Sequence, residues 1–270
     1  MKVNNKVIVV TGGGNGMGRE VTLNLLSKGA KVFAIDINEA ALHETSQLAG
    51  DKKANLTTAV LNITDKEAVE ALPAKVIERF GAVDGLINNA GIIQPFVRLK
   101  DLKYEAIDRV LDVNLYGTLY MLKAFLPHFL TRPVAHIANV SSMGGFLPVP
   151  GQTVYGASKA AVKLMTEGLY AELLETNVKV TLVYPGAIGT NITTNSGVAT
   201  PGGEKRSTEE QKFKPLAADK AAEIIVDAIE KDRYSVHVGS DAKMMDFLTR
   251  LNPKMAAGFI YKQMKSLLPA

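Results

Sequence analysis

The sequence contains no cysteine, and this absence excludes several kinds of chemistry at once. Without cysteine there is no disulfide framework, no thiolate nucleophile and no cysteine-ligated metal site. The four histidines do not fall in a metal-ligand spacing either, so we predict no metal. A reducing compartment is the simplest interpretation, and we predict a cytoplasmic protein.

Long apolar runs and basic clusters are also absent. No stretch reaches the ~18 uninterrupted apolar residues of a membrane helix, and the first residues lack the features of a secretory signal, so we predict no transmembrane span. The net charge of +4 on 270 residues is not gathered into one block, and no aromatic residues are interleaved with the cations. We therefore predict no nucleic-acid partner.

The chain does contain short runs rich in Val and Ile that alternate with longer stretches of helical period. This pattern predicts βαβ units in an α/β fold, a doubly wound (Rossmann-type) parallel sheet with helices on both faces, in a single domain over residues 1–240. Pro73 should kink or split the helix predicted over 65–80. Seven strands are predicted, at 6–11, 31–36, 56–61, 85–88, 134–140, 179–183 and 234–238.

Two segments lie outside this alternation. Residues 190–215 lose periodicity, and we predict a substrate loop over the carboxyl edge of the sheet. Residues 241–270 carry a local charge of +3, five cations less two acids, and predict two amphipathic helices separated at Asn252 and Pro253. They could pack on their own domain, contact another subunit, rest on a membrane surface as a peripheral contact, or cover the substrate pocket. We hypothesise the cover.

A glycine-rich turn, T-G-G-G-N-G-M-G, follows the first predicted strand and opens the first helix. Glycines in this place allow a tight turn and close approach of the backbone to a pyrophosphate, while the helix N-terminus favours anions. The turn therefore predicts a dinucleotide site. The expected contacts are Gly12, Asn15, Gly16, Met17 and Gly18.

Asp36 ends the second predicted strand, 18 residues after Gly18, where an acid can bind an adenosine ribose. A carboxylate there repels a 2′-phosphate, and neither Ile37 nor Asn15 offers a cation to hold one. The sequence therefore predicts NAD rather than NADP, although Arg19 lies near the turn. A strand-end turn residue is the alternative interpretation of Asp36.

The glycine turn, N-N-A-G at 88–91, Asn114, Ser142, the pair Tyr155 and Lys159, and P-G at 185–186 occur in one order. With these motifs, residues 4–240 resemble the short-chain dehydrogenase/reductase family. The resemblance implies a nicotinamide cofactor, a secondary alcohol or ketone as substrate, and a homodimer or homotetramer. It also implies further cofactor contacts at Asn62, Ile63, Asn89, Ala90, Gly91, Tyr155, Lys159, Pro185, Gly186, Ile188 and Thr190.

Tyr155 and Lys159 are one helical turn apart on the same face. Since the pKa of tyrosine is ordinarily near ~10, proton exchange near neutral pH needs a nearby cation, and the Lys159 ammonium should lower the Tyr155 pKa. Ser142, at the end of the fifth predicted strand, can hold a substrate carbonyl oxygen in line with the phenol. The resemblance implies that Asn114 holds a water that connects Lys159 to solvent.

The substrate is predicted less directly than the reaction. Residues expected near the pocket are mostly apolar, without Arg or Lys, and predict a hydrophobic substrate such as a steroid or a long-chain alcohol; packing residues below a lid are the alternative. A cofactor-binding sensor that has lost turnover is the alternative to an enzyme. The expected pocket residues are Ile93, Pro95, Met143, Phe146, Leu147, Pro148 and Val149.

Overall fold

A computed structural model describes residues 1–198, 215–265 and 268. Seven parallel strands form its central sheet, in the order β3-β2-β1-β4-β5-β6-β9. The prediction of a doubly wound α/β sheet is thereby confirmed, because the strand order reverses between β1 and β4. The strands are β1 Val7–Thr11, β2 Lys31–Asp36, β3 Leu56–Val60, β4 Gly85–Asn88, β5 Ala135–Val140, β6 Val178–Pro185 and β9 Ser235–Val238.

Helices cover both faces of this sheet and bury two separate apolar clusters. One cluster packs Val21 and Leu25 of the first helix against Ile225 and Ile229 of the ninth. The other contains Phe125 and Phe129, stacked 5.9 Å apart at the far face. Because both faces are buried, the strands are almost continuously apolar, as the sequence pattern predicted.

The helices that form these layers vary from four to 20 residues. Their bounds are α1 Gly16–Ser27, α2 Glu39–Leu48, α3 Lys66–Glu70, α4 Leu72–Phe80, α5 Tyr104–Leu111, α6 Thr118–Leu130, α7 Thr153–Glu172, α8 Ile192–Asn195, α9 Ala218–Glu230, α10 Ser240–Leu251 and α11 Pro253–Met264. A small two-stranded sheet pairs β7, Ile188–Gly189, with β8, Leu216–Ala217.

Two long helical runs of the sequence are interrupted in the structure. The run over 65–80 is split into α3 and α4, with Pro73 in the first turn of α4, where its missing N–H breaks no helical hydrogen bond. The run over 104–130 is interrupted by a π-helical turn, Asp112–Gly117, between α5 and α6. Such turns occur often at functional sites.

The predicted loop 190–215 is described only at its ends. It begins with α8, and residues 199–214 lie outside the described residues. Beyond the sheet, α10 and α11 are separated at Asn252, whose side chain accepts the N–H of Met255 and so caps α11. No helix in the described ranges combines the length and the apolar character needed to cross a bilayer.

Candidate active site

A cavity of about 880 Å³ opens at the carboxyl edge of the sheet. This is the upper part of the ~300–1,000 Å³ range of small-molecule sites, and strand ends are where ligands bind in such sheets. All residues predicted to be catalytic or to contact the cofactor line this cavity, except Asn114. They are Gly12, Asn15, Gly16, Met17, Gly18, Asp36, Ile37, Asn62, Ile63, Asn89, Ala90, Gly91, Ser142, Tyr155, Lys159, Pro185, Gly186, Ile188 and Thr190.

The glycine turn has a backbone that only glycine accommodates at two points. Gly16 has a φ of +51°, and a Cβ there would meet the Thr190 side chain at 3.2 Å. A Cβ at Gly18 would collide with the carbonyl oxygen of Gly12. The turn thus brings the N-terminus of α1 to the cavity with free space above it, so the residues present fit a bound pyrophosphate.

Asp36 is oriented by main-chain groups. Its Oδ2 accepts the N–H of Gly14 at 3.0 Å, and its Oδ1 accepts the N–H of Asn38 at 3.0 Å. The neighbouring Ile37 is 66% exposed at the cavity rim. Among the described residues, the strand end presents one carboxylate and no cation.

Arg19, the cation near the turn, is already engaged. Its guanidinium donates to the carbonyl oxygen of Gly14 at 2.7 Å and to the Glu44 carboxylate at 2.6 Å. It also donates to the hydroxyl of Thr45 at 3.2 Å. Arg19 therefore stabilises the glycine turn through Gly14 and is not among the residues that line the cavity.

The N-N-A-G segment is fixed to the first strand through Thr11. The Thr11 hydroxyl accepts the N–H groups of Asn89 and Ala90, both at 2.9 Å. The Asn89 amide donates to the Thr11 carbonyl oxygen at 3.0 Å, and Asn88 donates to the Asn139 side chain at 2.9 Å. These bonds join β1, β4 and β5, so the segment forms a rigid floor of the cavity.

Ser142, Tyr155 and Lys159 meet at the far side of the cavity. Ser142 follows β5, and its hydroxyl accepts the N–H of Gly144 at 3.0 Å. Tyr155 lies in the first turn of α7 with Lys159 one turn later. The Lys159 ammonium donates to the carbonyl oxygen of Val140 at 3.0 Å. A strand end and a helix start thus bring a hydroxyl, a phenol and an amine to one wall.

Burial is the largest influence on the pKa values of Tyr155 and Lys159. It raises the pKa of the Tyr155 phenol, which a hydrogen bond with Ser142 partly opposes. It also lowers the pKa of Lys159 from 10.5 to about 8. The expected lowering of the Tyr155 pKa by Lys159 is therefore not seen here: the pKa is raised, and removal of the phenolate from water is the main cause.

Asn114 lies behind this wall, in the π-helical turn, and is fully buried. Its side chain accepts the N–H of Ile92 and donates to the carbonyl oxygen of Ile92, both at 2.9 Å. It also donates to the Ser158 hydroxyl at 3.0 Å. Since Ser158 lies next to Lys159, Asn114 ties the cavity floor to the helix that carries the amine.

The residues expected to form an apolar substrate pocket lie elsewhere for the most part. Of that group only Ile93 lines the cavity. Leu147 is buried with Met245, Ala256 and Ile260 of the C-terminal helices, and Met143 and Phe146 pack against the same cluster. This contact accounts for the apolar character of Met143, Phe146 and Leu147.

The cavity is lined by both apolar and charged side chains. The charged group comes from α5 and the π-helical turn, and the sequence reasoning did not include it. The apolar residues include Ile92, Ile93, Ala187, Ile188 and Ile192, and the charged group comprises Glu105, Asp108, Arg109 and Asp112. No motif marks the latter group, because it depends on how α5 faces the sheet.

Two further residues that sequence reasoning missed act on the site through the main chain. Asp241, in the first turn of α10, accepts the N–H of Ala187 at 2.7 Å and packs against Gly186. Gln94 accepts the N–H groups of Val154 and Tyr155. Neither has a local sequence signal, since both partners are distant in the chain.

Comparison with known proteins agrees with this geometry. A family model described as short chain dehydrogenase matches residues 6–200. A Mycobacterium tuberculosis protein named as an oxidoreductase, SadH, is 38% identical over 252 residues, which cover 91% of this chain and 90% of that protein.

Two solved structures share the fold. A short chain dehydrogenase/reductase from Burkholderia phymatum in complex with NAD has a TM-score of 0.83 at 26% identity, covering 94% of this chain and 96% of its own. A short chain dehydrogenase from Burkholderia cenocepacia in complex with NADP has a TM-score of 0.79 at 27% identity, covering 96% and 99%. The fold thus accommodates either cofactor.

Proposed function

The chain belongs to the short-chain dehydrogenase/reductase family, and we propose that it is an NAD-preferring oxidoreductase that interconverts a secondary alcohol and a ketone. One observation carries the proposal. Ser142, Tyr155 and Lys159 line the same cavity as the glycine turn, so a dinucleotide on the turn and a substrate at Ser142 would share one cavity. A cofactor-binding sensor has no physical need for this arrangement.

The protein's own residues supply binding, orientation and proton transfer. When bound, the nicotinamide supplies the hydride that is exchanged with the substrate carbon. The glycine turn and Asp36 would hold the dinucleotide, with Ile188 and Thr190 near its nicotinamide end. Ser142 Oγ holds the substrate oxygen, and the Tyr155 hydroxyl gives or takes its proton.

Lys159 and Asn114 support the proton transfer. The Lys159 ammonium would stabilise the phenolate form of Tyr155 and would hold the nicotinamide ribose by a hydrogen bond. Asn114 fixes the surroundings of Lys159 through Ser158 and relays the proton to solvent through a water. The strong desolvation of Tyr155 and Lys159 supports these roles, since perturbed pKa values at a cavity mark functional groups.

The preference for NAD rests on Asp36 and Arg19. Both oxygens of Asp36 are held by main-chain N–H groups, so the carboxylate is fixed where it would repel a 2′-phosphate. Arg19 is occupied by Gly14 and Glu44, and Ile37 adds no charge. A hydrophobic substrate is proposed from the apolar residues that line the same cavity as Ser142, while the charged side chains of α5 would bind polar groups.

A substrate screen tests the activity. Secondary alcohols and ketones that range from small charged hydroxy acids to steroids and long-chain alcohols are incubated with NAD(H) and NADP(H), and absorbance at the reduced nicotinamide band is followed. The proposal expects turnover, faster with NAD and with lipophilic substrates. Tight NADH binding without turnover on any substrate would favour the sensor, and faster turnover of charged hydroxy acids would exclude the hydrophobic preference.

The protein's surroundings and assembly are further parts of the proposal. We expect a cytoplasmic homodimer or homotetramer, and exposed apolar side chains such as Tyr104 and Leu164 on helices α5 and α7 offer contact area. Sedimentation velocity on the purified protein gives the assembly. A monomer at micromolar concentration would contradict it.

Residues 241–270 are proposed to be a helical extension that packs on the same domain and covers the site. Two contacts support this: Asp241 accepts the N–H of Ala187, and the Leu268 side chain lies against Gly151. Outward-facing Phe247 and Leu251, which are 65% and 68% exposed, leave a subunit or peripheral membrane contact as the competing roles.

Deletion of residues 241–270 separates these roles. A cover predicts a raised KM for the best lipophilic substrate. A folded truncated protein with unchanged KM would contradict the cover. Loss of the oligomer on deletion would instead identify a subunit contact, and sedimentation with anionic liposomes only when the segment is present would identify a membrane contact.

A further inference from the structure

The helix that carries Tyr155 and Lys159 begins without a cap of its own. The first N–H groups of any α-helix have no partner inside the helix and need one from elsewhere. The residue before α7, Gln152, makes no side-chain cap. Its own amide instead donates to the carbonyl oxygen of Gln94 at 2.8 Å. The start of α7 therefore depends on groups outside the helix.

Gln94 supplies the missing cap. Its Oε1 accepts the N–H of Val154 at 2.7 Å and the N–H of Tyr155 itself at 3.0 Å. Its Nε2 donates to the carbonyl oxygen of Gly151 at 2.9 Å, on the chain that enters the helix. The Gln94 amide thus hydrogen-bonds both the residue that leads into α7, Gly151, and the first turn of α7.

The loop that carries Gln94 is itself fixed. Gln94 follows the N-N-A-G segment by three residues and is 0% exposed. Before it, Ile92 is bonded to the Asn114 side chain, and the N–H of Ile93 donates to the Ser196 hydroxyl at 3.0 Å. Gln94 therefore ties the first turn of α7 to the floor of the cavity.

We propose that Gln94 is a positioning residue for the proton transfer, which sets the place of the Tyr155 phenol relative to Ser142; this rests on the proposed function. Tyr155 is only the third residue of α7, so fraying of the first turn moves its ring directly. A displacement of ~1 Å at a reacting group can lower the rate about a hundredfold. Gln94 touches neither Ser142 nor the cavity wall, so its effect passes through the backbone.

Substitution of Gln94 by methionine and by glutamate tests the inference. Methionine keeps the volume and removes every side-chain hydrogen bond, whereas glutamate keeps an acceptor for both N–H groups. We expect Gln94→Met to lower kcat at least tenfold with the KM for NADH within twofold. Gln94→Glu should recover only part of kcat, because its second carboxyl oxygen faces the Gly151 carbonyl oxygen in place of the amide donor. Gln47→Met, at an exposed glutamine of α2, is the matched control with unchanged kinetics.

Thermal unfolding and NADH binding establish that each variant is folded before its rate is interpreted. A folded Gln94→Met protein with kcat within twofold of the unmodified protein would overturn the inference. Equal changes in kcat and in the KM for NADH for both variants would also overturn it, since they indicate general loosening.

Failure of the proposed function can be distinguished from failure of the inference about Gln94. If the unmodified protein turns over no alcohol or ketone, the proposed function is wrong and kinetics cannot test Gln94. The ring signal of Tyr155 in the NMR spectrum of [¹³C]tyrosine-labelled protein, identified by its loss in Tyr155→Phe, then provides the measurement. Gln94→Met should shift or broaden this signal while Gln47→Met leaves it alone, and an unmoved signal in Gln94→Met overturns the inference.

Discussion

The half of the cavity that we propose for the cofactor is built mainly from main-chain groups, whereas the half that we propose for catalysis is built from buried side chains. In the first half, the glycine turn and the N–H groups that hold Asp36 define the shape. In the second, Asn114 and Lys159 are buried and each makes a defined hydrogen bond. A dinucleotide is long and needs close approach of the backbone, whereas proton transfer needs particular functional groups at fixed positions.

This difference determines which changes each half tolerates. A site formed by main-chain N–H groups keeps its shape after most side-chain substitutions outside its glycines, because the N–H groups remain. A buried polar network does not, because removing one partner leaves another unsatisfied at a cost of ~1–3 kcal/mol. Substitutions in the catalytic half should therefore abolish turnover, and substitutions in the cofactor half should redirect or weaken binding.

The largest effect is expected from Tyr155→Phe. In the proposed mechanism the phenol hydroxyl gives and takes the proton, and positioned acid–base groups contribute about 10²–10⁴-fold. We expect kcat to fall at least about a hundredfold while NADH affinity, measured by fluorescence titration, stays within a few-fold. Tyr104→Phe, at an exposed tyrosine of α5, is the matched control. Activity within about tenfold of normal, ~1.4 kcal/mol, would falsify the assignment.

A smaller effect is expected in the cofactor half from Asp36→Ser combined with Ile37→Arg. The change removes a fixed repulsion and adds a cation at the exposed position, so the ratio of kcat/KM for NADP to that for NAD should rise at least about tenfold, ~1.4 kcal/mol. Leu48→Arg, an exposed position outside the cavity, controls for the added charge. A higher kcat/KM with NADPH in the unmodified protein would show that Asp36 does not select NAD.

The two halves also differ in how far the sequence predicts them. The seven strands and the glycine turn have local signals, since apolar runs and glycines reflect burial and backbone conformation at their own positions. The π-helical turn around Asn114 and the partners of Gln94 have none. Helical periodicity runs on from 104 to 130 without marking the extra residue, and Gln94 meets Val154 and Tyr155 only after folding.

The buried amine of Lys159 provides a stability test of the catalytic half. Burial lowers its pKa to about 8, below the ordinary 10.5. Between these values the unfolded chain holds the proton and the folded protein does not, so the free energy of unfolding rises with pH across this window. From pH 7.5 to 9.5, the unmodified protein should gain about 1–2 kcal/mol relative to Lys159→Met in urea unfolding. If the difference in free energy of unfolding between the unmodified protein and Lys159→Met is the same at both pH values, the amine is not desolvated.

The smallest effect is expected from substitution of Asp241. This residue belongs to the C-terminal extension, and its side chain contacts the cofactor half of the cavity at Ala187. Its carboxylate holds the N–H of Ala187 beside the P-G turn, so this part of the cradle is not built from main chain alone. Asp241→Ala should raise the KM for NAD about two- to tenfold, ~0.5–1.5 kcal/mol, with kcat nearly unchanged. Asp241→Asn keeps an acceptor and should recover most of the loss, and the exposed Asp51→Ala is the control. If kcat falls while the KM for NAD stays constant, the contact between Asp241 and Ala187 supports catalysis and not cofactor binding. Ala187 would then belong to the catalytic half.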